Sequence, residues 1–404
     1  MAKEWLEAIR HLAEGMAAKA SGWRRSAELT RPREPLKIRR ESVEWTVEAL
    51  KQEQFRKKRG ESTVLFGEEG ERVRRIAAET ESLNRNNVTR TKAYADLFFQ
   101  FPELHWALLA HLVSRNGGWN MTDLKGEWLP RLLPEAAVES TFHLLESCNA
   151  MIFRDAYPQL RLYAESRLAG RGLFALLPAF GVSAFMAPFW ERFWIDRDPV
   201  PLTVALVVNE QNVIEHRIVR DPKYRDKVVE SLPFRSQPLL QLNQIVFPLG
   251  PMGERLAGRV LERFDSLDER IAFGKCLYAM LFACPRIRDG AIDFARAVPH
   301  TGSRADYWPH AFAAQKKGIR PETRGQDAER AEGPPWLSPR LEEAWADRPL
   351  GPVTEGDWFQ SLSVLHAFRH LRCPLLVDMT EEHLLGQRKL QTAALAAEKL
   401  QPQL

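Results

Sequence analysis

The sequence predicts an all-α protein, and three observations carry that prediction. Apolar residues recur at helical spacing in nearly every segment, no stretch sustains a period-two alternation, and Asn, Gly and Pro stand where helices begin and end. Its 404 residues are 45% hydrophobic and 27% charged, enough for a large core and unlike a disordered, collagen-like or disulfide-scaffold chain. The expected architecture is a large multi-helix body with an N-terminal helical arm and a C-terminal helical segment. The arm takes residues 1–80, the body 81–300, a Pro/Gly-rich linker 301–345 and the helical segment 346–404.

The arm opens on Trp5, Leu6, Ile9, Leu12 and Met16, an apolar stripe at helical spacing. A basic stretch follows over residues 19–40, where Lys19, Arg24, Arg25, Arg31, Arg33, Lys37, Arg39 and Arg40 face only Glu28 and Glu34. The whole net charge of +4 sits in residues 1–80, and the rest of the chain is balanced. An amphipathic helix followed by a basic arm is one way to meet an anionic surface, lipid or nucleic acid. The alternative is a stripe packed on the body with the arm as a solvated connector.

Ser42–Phe55 and Glu71–Leu83 read as charged surface helices. Thr89 or Thr91 caps a helix running to Phe101, and Pro102 opens the next, Pro102–Ser114, with Asn116-Gly117-Gly118 as its left-handed exit. Asn120 or Thr122 caps a short helix to Trp128, and Pro134–Tyr163 is one long helix or two, broken near Pro158. Thr203–Val208 reads as part of a long buried helix rather than a strand. Gly253–Phe264 and Leu267–Cys284 read as an antiparallel helix pair. Lys316–Arg340 is polar and rich in Pro and Gly, and Asp357–Leu371 and Thr380–Leu400 are two further helical patterns.

Gly172–Trp190 is nineteen residues without a charge, long enough to approach a membrane span. Pro178, Pro188, Gly181 and Ser183 break it, and irregular backbone is not tolerated in lipid, so the expectation is a buried core or an aromatic groove and no transmembrane span.

Asn87-Val88-Thr89-Arg90-Thr91 with Ala93-Tyr94, the long run Pro102–Gly126, Leu145–Tyr163 and Phe185–Trp194 together resemble an uncharacterised bacterial family, domain of unknown function 2515, the YppC-like proteins. The resemblance covers roughly Asn84–Phe312. It implies an intracellular bacterial helical protein with no assigned activity, and no catalytic residues come with it.

Motifs for nucleotide, dinucleotide, serine-nucleophile and zincin chemistry are missing, and Cys148, Cys276, Cys284 and Cys373 form no C-x-x-C pair. The charged opening Met1–Arg10 is no secretory leader, so a cytoplasmic chain with reduced thiols is expected, its cofactor unknown. The positive signal is polar side chains set into helices that are apolar nearly all round. Such groups are buried and must be paired, hydrogen-bonded or protonated.

The candidate polar pocket is Arg90, Arg115, Asn116, Asp123, Glu146, Asn149, Asp155, Asn209, Asn212 and His216, with Phe185, Phe189, Trp190 and Trp194 as its wall. Arg90 or Arg115 is the natural partner of Glu146, and Asn209, Asn212 and His216 share one helical stripe. A metal held by His143, Glu146 and His216 is a minor variant. His111, Trp106 and Trp119 read as core. The leading functional reading is a cytoplasmic binding or scaffold protein. A hydrolase-like or metal-dependent enzyme and a membrane-surface protein acting through residues 1–40 are the alternatives.

Overall fold

A computed structural model of the chain describes residues 21–58, 67–219, 242–315, 335–351 and 356–400. Among the described residues helices dominate, with two short two-stranded sheets, so the fold is essentially all-α. The arm supplies α1 (residues 21–29), α2 (Arg40–Lys58) and α3 (Gly67–Leu83). The apolar stripe at residues 5–16 and Lys19 lie outside the described residues.

The body is built on α4 (Asn87–Gln100), α5 (His105–Asp123), α6 (Leu129–Leu132), α7 (Glu135–Ala169), α8 (Ala187–Asp196) and α9 (Pro199–Ile214). α9 continues as a π-turn over Glu215–Val219, and buries Val200 to Asn209 without a break. α10 (Leu267–Ala283) and α11 (Pro285–Ala297) complete it. The largest apolar cluster runs from Leu29 and Leu50 through these helices to Phe359, Phe368 and Val377. Arm, body and C-terminal segment therefore contribute side chains to one core.

The first body helix is capped by Asn86, not by Thr89 or Thr91. The Asn86 side chain accepts the Thr89 amide, and the Thr89 hydroxyl accepts the Asn86 amide in return. α7 runs unbroken through Pro158, and ends on Gly170 in the left-handed conformation. Gly172–Trp190 folds as a 3-10 turn, Phe174–Phe180, and the start of α8. Among the described residues no helix is long and apolar enough to cross a membrane.

Gly117 and Gly118 do not end their helix. α5 runs through both to Asp123, because the pair lets other side chains approach its backbone. A Cβ on Gly117 would stand 3.2 Å from the Asn149 amide. One on Gly118 would stand 2.5 Å from Asn87 Oδ1 and 2.6 Å from the His300 ring, which are hydrogen-bonded to each other at 2.8 Å. Helix propensity alone favours alanine here by ~1 kcal/mol. The clash reverses that sign: Gly118→Ala is expected to lower stability by about 1 to 3 kcal/mol in urea unfolding. A stabilised variant would show that Asn87 and His300 do not meet over this glycine.

The expected helix Gly253–Phe264 is instead the second strand of a hairpin. β1 (Gln244–Leu249) pairs antiparallel with β2 (Arg255–Val260), and Gly250 and Gly253 take positive φ in the turn between them. Gly258 lies against the Ile245 carbonyl and Val246, where any side chain would overlap backbone. The outer edge of β2 is covered: the Gly258 amide donates to the Val377 carbonyl at 2.8 Å, and Ala257 bridges Asp378.

Within 301–345, residues 301–315 and 335–345 are packed rather than open. They carry β3 (Phe312–Ala313), its parallel partner β4 (Trp336–Leu337) and α12 (Leu341–Ala344), and they bury Arg304, Tyr307, Trp308, Phe312, Leu341 and Trp345. Residues 316–334 lie outside the described residues. Asp357–Leu371 is not a helix beyond a 3-10 turn at Leu362–Phe368. Its start is pinned by the Asp357 carboxylate, which accepts the Ser183 hydroxyl, the Ala184 amide and the Phe359 amide. α13 (Thr380–Leu400) is helical as the sequence indicates.

Candidate functional site

Of the two arginines offered to Glu146, Arg90 takes it. On α4 and α7 the two side chains are 1% and 6% exposed and meet at 2.5 Å. Arg90 also donates to the Asn84 carbonyl and side-chain oxygen, each at 3.2 Å. The pairing is incomplete, since Arg90 Nε and Glu146 Oε2 are buried with no hydrogen-bond partner among the described residues. Burial lifts the Glu146 carboxyl above its ordinary range, and the nearby guanidinium only partly opposes that.

Arg115 does different work. It donates to the Tyr307 hydroxyl (2.6 Å) and to the carbonyls of Val298 (2.9 Å) and Pro299 (3.0 Å), just beyond the end of α11. Its guanidinium also sits 4.8 Å from the Phe294 ring centroid and 4.9 Å from that of Tyr307. A cation at a helix C-terminus satisfies carbonyls that the helix leaves open. Asn116 behaves like a strand residue: its amide donates to the Val246 carbonyl and accepts the Val246 amide, tying α5 to the hairpin. Asp123 binds Arg304 at 2.7 Å, and Arg304 packs among Trp119, Trp308 and Phe312. These three residues therefore serve separate contacts and do not join Glu146.

A second group forms around Asp155. Gln159 (2.8 Å) and Asn209 (2.5 Å) both donate to its Oδ2. Gln159 accepts the Trp190 indole N–H (2.8 Å), and Asn209 accepts that of Trp358 (2.9 Å). Burial raises the Asp155 carboxyl to about 6, against the pull of Arg217 and these hydrogen bonds. The expected aromatic groove is filled. Phe185 and Phe189 are buried beneath Trp358, Phe359 and Phe368, with Phe189 stacked on Phe368 at 5.0 Å. Trp194 lies apart, half-buried under Arg197.

Between the Arg90 pair and the Asp155 group lie residues that the sequence reading passed over. Tyr94, one turn after Arg90, is 3% exposed, and its hydroxyl has no hydrogen-bond partner among the described residues. Its ring meets Trp106 edge-on at 5.4 Å and Phe153 at 5.3 Å. Burial raises the phenol well above its ordinary value, while the Arg90, Glu210 and Asp155 charges also act on it. The Glu210 side chain accepts the Trp106 indole N–H (3.1 Å) and the Gln211 amide (3.2 Å), and burial pushes its carboxyl up to about 8. At neutral pH Glu210 is therefore mostly a protonated acid and a hydrogen-bond donor. The signal for Glu210 was weak: it is half-buried, beside the buried Asn209 at the end of an apolar run.

The remaining candidates stay apart. The amides of Asn149 and Asn212 bond carbonyls of their own helices, Leu145 and Val208. His216 is exposed and bonds the Asn212 carbonyl. His143, Glu146 and His216 do not form a metal set, and among the described residues no three His, Cys, Asp or Glu side chains are grouped to hold one. In the basic arm, Arg25 pairs with Asp378 and Glu381, Arg39 with Asp198, Arg40 with Glu44 and Arg24 with Glu28. Arg33 reaches the Pro374 carbonyl, and Arg31 and Lys37 are exposed.

The stretch that supplies these helices is shared with other proteins. The family model described as protein of unknown function (DUF2515) matches residues 82–387, reaching well past Phe312 into the C-terminal helix. The uncharacterized protein YppC of Bacillus subtilis (strain 168) is 36% identical over 317 residues, covering 78% of this chain and 92% of that protein. No solved structure matches. The family match takes in Arg90, Tyr94, Glu146, Asp155, Asn209, Glu210 and Trp358 alike, and this chain belongs to the DUF2515 family of proteins of unknown function.

Proposed function

We propose that this chain is a binding protein for a small polar molecule, taken up between α4, α5, α7 and α9. The observation that carries the reading is the buried Tyr94 hydroxyl, unpartnered beside the Trp106–Glu210 pair. Leaving such a hydroxyl unsatisfied costs about 1 to 3 kcal/mol, which a ligand that bonds it would recover. The groups around it offer both senses of hydrogen bond. Protonated Glu210 donates, Tyr94 does either, and the Arg90 charge acts on the same phenol. Trp106 and Phe153 give the flat apolar surface that small-molecule sites commonly add to a few polar anchors.

Tyr94→Phe tests this with two readouts. Without ligand the variant is expected to be as stable as the parent or up to ~1 kcal/mol more stable, because it removes an unsatisfied group and no partner. In a thermal-shift screen of small amides, carboxylic acids and sugars, at least one compound is expected to raise the parent's Tm and to lose that effect in the variant. A ligand-free loss above ~1 kcal/mol, with no compound separating the two proteins, would mean the hydroxyl is already satisfied internally and would end the proposal.

A further inference from the structure

Outside that site, the thiols of Cys284 and Cys373 stand 3.3 Å apart, sulfur to sulfur. Cys284 is buried at the junction of α10 and α11. Cys373 is half-buried in the extended segment that leads from the 3-10 turn at 362–368 toward α13. We propose that Cys284 and Cys373 are a peroxide-reactive pair that closes into a reversible intramolecular disulfide, fastening the C-terminal segment to the body.

Geometry and environment agree on direction. A disulfide needs about 2.05 Å between sulfurs, so the pair must close by little more than 1 Å. The hydrogen bond from the Cys284 thiol holds the Cys373 thiol below its ordinary range, aided by the Arg33 guanidinium and opposed by burial. The Cys284 thiol is raised by the same hydrogen bond and by burial. Cys373 is thus the nucleophile and Cys284 the resolving thiol. Arg33 approaches from the basic arm, where it also bonds the Pro374 carbonyl at 3.5 Å.

The oxidant is hydrogen peroxide or an organic hydroperoxide. The Cys373 thiolate attacks one peroxide oxygen: an S–O bond forms, the O–O bond breaks, and the departing hydroxide or alkoxide takes up a proton. The Cys284 sulfur then attacks the sulfenic sulfur; the S–S bond forms, the S–O bond breaks, and the Cys284 proton leaves with hydroxide as water. Two thiols are oxidised by two electrons, and one peroxide is reduced. A dithiol reductant reverses the bond by exchange. The segment being fastened also carries Trp358, Phe359 and Phe368, which cover Phe185 and Phe189.

The test is non-reducing peptide mapping of the full chain after treatment with hydrogen peroxide. A 284–373 linkage is expected as the main product, lost on adding dithiothreitol. Cys276 also faces Cys373 electrostatically, so it is the competing partner. In Cys284→Ser, dimedone should label Cys373, and in Cys373→Ser, Cys284 should stay unlabelled. A main linkage of 276–373, oxidation spread equally over Cys148 and Cys276, or cross-links between chains would each overturn the proposal. So would recovery of four unmodified thiols, and the parent map decides even if a variant fails to fold.

Discussion

Glu146→Ala is expected to cost about 3 to 5 kcal/mol of folding stability, measured by urea unfolding, because it strands the Arg90 guanidinium in the core. Arg90 is 1% exposed, and among the described residues its remaining bonds go to Asn84. The pair itself contributes far less than that figure. Burial raises the Glu146 carboxyl despite the adjacent cation, so desolvation outweighs the attraction. The double variant Arg90→Met with Glu146→Leu removes both charges together, leaving the Asn84 oxygens without a donor. It is expected to lose less than Glu146→Ala alone, by roughly 1 to 3 kcal/mol. A loss below ~1 kcal/mol in Glu146→Ala would mean that water reaches Arg90 and that the pair is in effect a surface one.

The same pair shows what a sequence can and cannot convey. That Glu146 and Asp155 would be buried is written in the apolar residues around them on α7, and the helical character of α4, α7 and α9 follows from periodicity alone. Partner choice is not written there. Arg90 and Arg115 have similar sequence surroundings, and only the packing of α11 against α5 gives Arg115 two carbonyls and a phenol in place of a carboxylate.

Gly117-Gly118 shows the same limit. Glycine marks a helix end when it must take positive φ, but these two stay helical because Asn149, Asn87 and His300 need the space. The hairpin at 244–260 escaped notice because its side-chain burial does not alternate: β1 is covered on both faces, by α5 and α11 among others, and so carries no period of two. Glu210 escaped for a different reason. It falls outside the stripe of Asn209, Asn212 and His216, on a neighbouring face of α9 that is half-buried.

Stability is expected to peak near pH 7 and to fall on both sides, for opposite reasons. Burial lowers the imidazoles of His105 and His111 to about 3, and takes those of His300 and His383 well below their ordinary value. Between pH 6.5 and 3 the unfolded chain therefore binds protons that the native state refuses, and stability falls as pH falls. The carboxyls of Glu146, Asp155 and Glu210 are raised, so their contribution is full at low pH and is lost as pH rises through the folded values, about 6 for Asp155 and about 8 for Glu210. Asp123 and Asp306 are raised and His143 lowered in the same way, and below pH 6 the histidines outweigh the carboxyls, so stability still rises with pH. Above pH 7 most unfolded histidines have lost their protons and Glu210 dominates, so stability falls by up to about 1 kcal/mol between pH 7 and 8.5. Glu210→Gln keeps an amide for Trp106 to bond and removes the titration. In urea unfolding across that range the variant should lose the alkaline limb and keep the acid one. An unchanged alkaline limb would show that Glu210 is ionised and solvated at neutral pH, and the donor assigned to the ligand site would be gone with it.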